Sequence, residues 1–302
     1  MSNGNKIFVK SQNKYGWLFV SLAVILLLIF MFYPILYSLY LSTTSTKGAV
    51  QKFIGLGNYT RLIKDPTFFL ALKNTLVLLI IQVPIMLFLA LIFATILNDK
   101  SLKFRGFFRT AIFLPAVTSL VAYTVLFKMI FAYDGFINTV LQNLHLIQDP
   151  IPWLLDPFWA KVTLILAMTW RWTGYNMIFY LSGLQNIPGD IYEAAEIDGA
   201  SKVTQFTRIT IPLLKPLILF TTIMSTIGTL QLFDEPINLA SGGASVGTVG
   251  PGNSLLTLSV YIYQVCFKFM PNFGYAATIS YVVVLIVAVL SIIQTKVAGD
   301  EK

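Results

Sequence analysis

Long, uninterrupted apolar segments are the feature that most limits the folds open to this chain. They recur along all 302 residues, and each reaches about 20 residues, the length that an α-helix needs to cross about 30 Å of hydrocarbon. Inside a bilayer, helices and closed β-barrels alone satisfy their backbone hydrogen bonds, and runs that are continuous rather than alternating exclude barrel strands. The sequence therefore predicts an all-α, polytopic membrane protein.

The charge composition agrees with a membrane location. Charged residues make up 11% of the chain, apolar residues make up 56%, and the mean hydropathy is +0.76, whereas soluble domains carry about 25% charged residues. Basic residues beside membrane segments explain the net charge of +8 better than nucleic-acid binding does. Because Cys266 and His145 are single, no internal disulfide or cysteine/histidine metal cluster can form. We predict no catalytic residue, no metal site and no nucleic-acid partner.

Six apolar segments are predicted to span the membrane. Their approximate bounds are Trp17–Leu41, Phe69–Leu97, Thr110–Phe131, Phe158–Leu184, Ile211–Phe233 and Tyr275–Thr295. Pro115 is expected to interrupt the third of them. A short amphipathic stretch, Leu255–Phe267, is expected to lie along the outer interface or to re-enter the bilayer.

The positions of the basic residues predict the orientation. The loop after the second predicted helix contains Lys100, Lys103, Arg105 and Arg109. The loop after the third contains acidic residues and no Lys or Arg before Lys161. Since cytoplasmic loops are enriched in Lys and Arg, both chain termini are predicted to be cytoplasmic. The basic segment that follows the first helix opposes this tendency.

The predicted organisation has no soluble domain. It consists of a cytoplasmic tail (1–16), a first transmembrane helix (17–41), an extracytoplasmic loop (42–68), a core of five transmembrane helices (69–296) with a long cytoplasmic loop (186–216), and a second tail (297–302). The segment 241–247 is too rich in Gly and Ser for regular structure. No Gly-Lys dipeptide occurs in the sequence, so the chain carries no P-loop for ATP.

The loop between the fourth and fifth predicted helices has the most informative pattern. Residues 193–200 read Glu-Ala-Ala-Glu-Ile-Asp-Gly-Ala. Pro188, together with a capping box of Asp190 and Glu193, predicts a short helix. Gly199 is expected to end this helix by adopting the left-handed conformation.

A second short helix is predicted from Lys202 to Thr210, after which Pro212 begins the fifth membrane helix. The two short helices would form a compact knob, in which Ala194 and Ala195 permit close approach by a partner and the acidic side chains offer charge. The same pattern also fits an amphipathic hairpin at the membrane surface without a partner. The pattern alone leaves both interpretations open.

The residues of this loop resemble the EAA loop of ABC importer permeases. The resemblance rests on Glu193-Ala194-Ala195, Asp198-Gly199-Ala200, Phe206, Ile209, Pro212 and Pro216. It implies that the loop contains a coupling helix that sits in a groove of the ATPase subunit. The implied coupling residues are Glu193, Ala194, Ala195, Asp198 and Gly199, with Glu193 facing the ATPase and Gly199 forming the turn.

Other segments resemble the carbohydrate branch of this family, which includes the maltose, glycerol-phosphate and multiple-sugar permeases. They are residues 53–59, 71–75, 105–106, 113–115 and 183–188, and the resemblance extends from Trp17 to Lys296. The chain departs from the branch in its short first outer loops and in Gly242-Gly243-Ala244, where Gly-Gly-Pro is common.

The resemblance implies a type I importer permease in a bacterial cytoplasmic membrane that translocates a sugar or oligosaccharide. The implied partners are a second permease subunit in a heterodimer, two ATP-binding subunits and an extracytoplasmic solute-binding protein. The chain itself would hold no cofactor, because ATP and Mg²⁺ would bind to the ATPase subunits.

Polar and aromatic residues inside the fourth and fifth predicted helices indicate a substrate path. The candidates are Trp170, Gly174, Tyr175, Asn176, Thr229 and Gln231, and the resemblance to the maltose permease places sugar contacts at Gly174–Asn176 and Thr229–Gln231. Trp170 fits an interfacial aromatic belt equally well. Arg171 is interpreted as part of a structural pair or as a residue that extends to the interface.

Three alternative functions predict other features. Transport of glycerol 3-phosphate or another polyol in the same importer class remains open, although a phosphorylated cargo would need concentrated positive charge along the path. An ATP-independent secondary transporter would show charged relays and an internal repeat. A membrane-embedded enzyme would need a convergent catalytic site. The sequence offers little support for the last two.

Overall fold

The computed structural model describes residues 3–47, 50–99, 101–240 and 248–299. Helices make up most of it. Along the chain they are α1 Asn3–Leu27, α2 Tyr33–Ser42, α3 Gly57–Ile63, α4 Pro66–Asn98, α5 Arg105–Val117, α6 Leu120–Ile130, α7 Phe136–Asn143, α8 Pro157–Gln185, α9 Gly189–Ile197, α10 Lys202–Gln205, α11 Ile211–Leu230, α12 Asp234–Ala240, α13 Leu258–Tyr263 and α14 Phe273–Gly299. Short π-helical turns occupy Leu28–Phe32, Phe206–Thr210 and Gln264–Lys268, and a 3-10 turn occupies Pro251–Asn253.

The chain divides into two compact units. The first consists of residues 1–64 and 265–281, and the second consists of residues 65–264 and 282–302. In the first unit, the strands β1 Thr44–Lys47 and β2 Val50–Phe53 form an antiparallel pair in the predicted outer loop. The amide of Asn58 fixes the start of this pair, because its Nδ2 donates to the carbonyl oxygens of Ser42 at 2.9 Å and Thr44 at 2.8 Å.

The second unit is built on the two long helices α4 and α8. Each begins at an Asp-Pro pair: the Asp65 and Asp156 carboxylates each accept a hydrogen bond from a backbone N–H two residues later, at 2.9 Å in both cases. Proline in the first turn suits a helix start because its missing N–H is not needed there. The helices pack together through a core that includes Ala90, Ala94 and Met177. Small residues allow the two backbones to approach closely.

The predicted third helix, Thr110–Phe131, is not one straight span. It is divided into α5 and α6, which meet at an angle of 99°. The break lies at Thr118 and Ser119, whose backbones are extended, and not at Pro115, which lies within α5. The Thr118 hydroxyl donates to the Pro115 carbonyl oxygen at 2.7 Å, so the end of α5 has a local hydrogen-bond partner.

The expectation of a separate helix at Lys202–Thr210 was wrong, because α10, a π turn and α11 form one helix from Lys202 to Leu230. Ser201 caps it, since its hydroxyl accepts from the Thr204 N–H at 3.2 Å. Pro212 directly follows the first residue of α11. The wider π turn before it accommodates the missing proline N–H without ending the helix.

The predicted interfacial stretch Leu255–Phe267 contains α13, whose residues Leu258 and Val260 are buried. The segment before α13 is fixed to α4, because Asn74 Nδ2 donates to the carbonyl oxygens of Asn253 at 2.9 Å and Leu256 at 3.0 Å. This part of the stretch therefore belongs to the protein core. The Gly- and Ser-rich segment 241–247 lies outside the described residues.

Within the described residues, four helical segments are long and apolar enough to cross a membrane, and the α5–α6 pair would make a fifth. They are Tyr15–Ser42, Pro66–Asn98, Lys202–Leu230 and Phe273–Val297. The helix α8 has 29 residues, which is the length of a span. It is less apolar because its sequence contains residues such as Lys161 and Arg171. Length and hydropathy alone thus do not reproduce the predicted count of six.

Candidate functional site

The first candidate site is the α9 knob, which we define as residues 189–210. α9 begins after Pro188, and Asp190 lies in its first turn. The expected capping box of Asp190 and Glu193 was wrong, because no side chain caps this helix. Gly199 has a φ of +78° and ends α9 as expected. The Ala200 N–H donates to the Ala195 carbonyl oxygen at 2.9 Å across this turn, a backbone arrangement that glycine adopts without steric cost.

Most predicted coupling residues lie on the surface of the α9 knob. Glu193, Ala194, Asp198 and Gly199 are exposed, and Ala195 is half-buried. The α9 knob also exposes two large apolar side chains: Ile197 is 87% exposed and Val203 is 72% exposed. The sequence interpretation passed over Ile197, although an isoleucine between two acidic residues in a polar loop was the available signal. Neighbouring exposed apolar side chains indicate an interaction surface.

An ion pair between Glu196 and Lys202 links α9 to the start of α10. The hydrogen bond from the Lys202 ammonium lowers the pKa of the Glu196 carboxyl. Because both side chains are largely exposed, solvent screens the pair and it contributes little to stability. The shape of the knob therefore depends mainly on the Gly199 turn and on the continuous helix that follows it.

The second candidate site is a cavity of about 510 Å³, which we call the α8–α11 cavity. Residues of α4, α6, α8, α11 and the segment 231–235 line it. Its amide and hydroxyl groups come from Gln82, Asn176, Thr221, Ser225, Thr229 and Gln231, and its aromatic faces come from Trp172, Tyr175, Phe179, Phe220 and Phe233. A mostly apolar wall with a few polar groups is the usual composition of a small-molecule site.

The structure brings four of the six substrate-path candidates together on this cavity: Tyr175, Asn176, Thr229 and Gln231. Trp170 is not among the lining residues, and its ring instead packs against Phe127 at a centroid distance of 5.5 Å. Gly174 packs tightly against the backbone of α5 at Ile112. All six remain predictions as substrate contacts.

Gln82 is a lining residue that the sequence interpretation missed. It is 1% exposed within the long apolar α4, and an amide in the middle of such a run was the signal that could have identified it. Its Nε2 donates to the Met86 Sδ at 3.3 Å, and Asn176 Nδ2 lies 3.6 Å from the same sulfur. The wall of the cavity formed by α4 and α8 thus carries two neighbouring amides.

Three charged residues also line the α8–α11 cavity: Arg171, Asp234 and Glu235. Arg171 is 8% exposed and Glu235 is 5% exposed. The guanidinium carbon of Arg171 lies 4.6 Å from the centroid of the Tyr123 ring. Arg171 is therefore a buried residue of the cavity wall, and this burial opposes its interpretation as a residue that extends to the interface. Among the described residues, no three His, Cys, Asp or Glu side chains form a group that could hold a metal ion.

Comparison with known proteins identifies the class. Residues 6–298 match the family of the binding-protein-dependent transport system inner membrane component. The chain belongs to this family and is a membrane-spanning permease subunit of an ABC transporter, not an enzyme.

Two relatives illustrate the level of similarity. The chain is 58% identical over 287 residues to the lactose transport system permease protein LacF of Rhizobium radiobacter, covering 95% of each chain. It is 36% identical over 299 residues to the arabinooligosaccharides transport system permease protein AraP of Bacillus subtilis, covering 97% of this chain and 91% of that one.

A solved structure has the same fold. It is the crystal structure of a bacterial ABC transporter involved in the import of the acidic polysaccharide alginate, with a TM-score of 0.79 at 23% identity over 97% of this chain and 99% of that one. The fold of the present chain is therefore that of a type I ABC importer permease.

Proposed function

We propose that this permease passes a neutral sugar or oligosaccharide through the α8–α11 cavity. The observation that carries the proposal is the lining, in which aromatic faces lie beside amide and hydroxyl groups within about 510 Å³. Aromatic rings suit the C–H faces of a sugar ring, and amides and hydroxyls suit its hydroxyl groups. The names of LacF and AraP refer to lactose and to arabinooligosaccharides. We take lactose as the first cargo to test.

The charges of the cavity favour a neutral cargo over glycerol 3-phosphate. In the part of the chain that the structure describes, its lining contains one cationic residue, Arg171, and two acidic residues, Asp234 and Glu235. A phosphate group is bound best by concentrated positive charge. Carboxylates in the same cavity would repel it, so glycerol 3-phosphate is the weaker candidate.

The proposed assembly contains this chain, a second and different permease subunit, two ATP-binding subunits and an extracytoplasmic solute-binding protein. It lies in a bacterial cytoplasmic membrane, with both termini of this chain in the cytoplasm. ATP and Mg²⁺ bind to the ATPase subunits, which contact the α9 knob at Glu193, Ala194, Ala195, Asp198 and Gly199.

The mechanism is a two-state equilibrium that ATP shifts, because ATP binds more tightly to the state in which the ATPase subunits are closed. Their closure draws the coupling segments together and opens the permease pair toward the binding protein, which releases its sugar. Hydrolysis returns the pair to the state that opens inward. The chain contributes the path and the α9 knob, and no chemical step takes place on it.

The proposed function predicts uptake of radiolabelled lactose by proteoliposomes that contain the assembled importer. Uptake should require enclosed ATP and the binding protein, and dissipation of the ion gradients with ionophores should leave it unchanged. Excess unlabelled glycerol 3-phosphate should not compete. ATP-independent uptake, or uptake of glycerol 3-phosphate and not of any sugar, would contradict the proposal.

The exposed apolar side chains of the α9 knob give a separate prediction about the ATPase contact. Ile197→Ser and Val203→Ser should each weaken binding of the purified ATPase subunit about tenfold, because burial of one such side chain contributes about 1.5–3 kcal/mol. Titration of the detergent-solubilised permease with the ATPase measures this. Glu196→Gln is the matched control, since Glu196 is paired within this chain to Lys202. Equal affinity of all three variants would show that these two side chains do not lie in the contact with the ATPase.

A further inference from the structure

Arg171 is a buried cation with unused hydrogen-bond donors. It is 8% exposed, it lines the α8–α11 cavity, and its Nε and Nη1 have no hydrogen-bond partner within the described residues. Buried polar groups in proteins almost always have a partner, and a charged group without one carries a large desolvation cost. Donors that no described residue uses, in the wall of a cavity, indicate a partner that arrives from outside the chain.

The surroundings of Arg171 hold its guanidinium without using these donors. Its Cζ lies 4.6 Å from the ring centroid of Tyr123 on α6 and 5.6 Å from that of Trp172 on α8. An aromatic ring attracts the planar cation through its face. The N–H groups lie in the guanidinium plane, so this contact fixes the cation without using them, and Nε and Nη1 are enclosed by the protein without a hydrogen-bond partner among the described residues.

Glu235 supplies the complementary acceptor. It lies on α12, is 5% exposed and lines the same cavity as Arg171. A sugar hydroxyl is both a donor and an acceptor. A guanidinium and a carboxylate that line one cavity can therefore bind hydroxyls of one cargo through charge-assisted hydrogen bonds in both directions.

We propose that Arg171 and Glu235 form the polar recognition centre of the cavity, in which the Arg171 N–H groups donate to cargo hydroxyls and the Glu235 carboxylate accepts from them. This inference rests on the proposed function, since it presupposes a sugar in the α8–α11 cavity. It names the residues that discriminate between hydroxyl patterns after the binding protein has released its cargo.

The test uses the complete importer in proteoliposomes with saturating binding protein, so that differences reflect the permease and not delivery. The probes are lactose and a panel of monodeoxy lactose analogues. Arg171→Lys keeps the charge and removes the planar set of donors, and Glu235→Gln keeps the volume and removes the charge. Leu166→Val is the control, because Leu166 also lies on α8, is exposed and is not among the described lining residues of the cavity.

Arg171→Lys and Glu235→Gln should lower the maximal lactose uptake rate per assembled complex about tenfold, and Leu166→Val should leave it near the wild-type rate. The wild-type importer should discriminate against the analogue that lacks the recognised hydroxyl. The Arg171→Lys importer should transport that analogue and lactose at equal rates, because the contact is already missing. A merely structural role would leave this discrimination unchanged.

Wild-type uptake of lactose, combined with unchanged rates or unchanged discrimination in both variants, would overturn this inference and leave the proposed function standing. Absence of ATP-dependent uptake of any sugar by the wild type would instead overturn the proposed function. If Arg171→Lys does not assemble, as size-exclusion chromatography would show, Glu235→Gln is judged on the same analogue panel by the same criterion.

Discussion

Gly174→Ala should destabilise the permease strongly, although it adds a single methyl group. A Cβ at this position would lie 1.9 Å from the carbonyl oxygen of Ile112 and 2.9 Å from the Cα of Phe113. Both are backbone atoms of α5, so no flexible side chain can rotate away and α5 itself must move from α8. Overpacking of this kind costs about 1–3 kcal/mol or more. We expect Tm of the purified complex in detergent to fall by about 2–4 °C for each kcal/mol.

The matched control is Gly228→Ala. Gly228 lies within the helix α11, lines the cavity, and has no other group within 4 Å of an added Cβ. This variant should melt close to the wild type, and any change should appear in the transport rate. A wild-type Tm for Gly174→Ala, or equal losses of Tm for the two variants, would show that the α5–α8 contact tolerates a side chain.

Gly199→Trp should abolish uptake while the permease still inserts and assembles in the membrane. Gly199 has a φ of +78°, and no other group of the described residues lies within 4 Å of a Cβ placed there. Within the chain the substitution costs only backbone strain, about 1–2 kcal/mol. A complete loss of transport would therefore arise from a partner surface that fits closely against this turn. Glu193→Lys should have a similar effect, because it reverses a charge on the same surface.

Two control variants separate backbone strain from bulk. Gly199→Asn keeps a residue that tolerates positive φ and should retain most of the uptake. Gly189→Trp adds the same ring at the start of α9, where the chain also leaves open space, and it should disturb coupling less. Uptake and ATP hydrolysis, each normalised to the amount of protein in the membrane, provide the readout. Normal uptake by Gly199→Trp would refute the assignment of this turn to the ATPase contact.

The parts of the fold that could be predicted are those fixed by local sequence. The expected segments Phe69–Leu97 and Phe158–Leu184 lie close to α4 and α8, because a long apolar run forms each helix; the Asp-Pro pair at each start was not used in the prediction. The positive φ of Gly199 was also predictable from local sequence. The break at Thr118 and the burial of α13 depend on contacts between distant residues, such as that of Asn74 with Leu256. Hydrophobic periodicity contains no information about such contacts.

Only part of the candidate site could be predicted from the sequence, and the reason is related. A helix that is apolar around most of its circumference does not reveal which face is turned inward. Position along α8 therefore suggested Trp170, Gly174, Tyr175 and Asn176 together, and only the last two line the cavity. Arg171 was interpreted as part of a structural pair or as a residue that extends to the interface, because its place in the same cavity wall as Glu235 depends on the packing of α12. The sequence does not specify that packing.

The single helix from Lys202 to Leu230 contains 29 residues and is about 43 Å long at 1.5 Å per residue. One end carries Val203 of the α9 knob, and the other carries Gly228 and Thr229 of the cavity wall. If such a helix tilts as a rigid body by about 5° about its midpoint, its two ends move by about 2 Å in opposite directions. A small displacement at the ATPase contact would thus change the width of the cavity, with no break in the backbone between them.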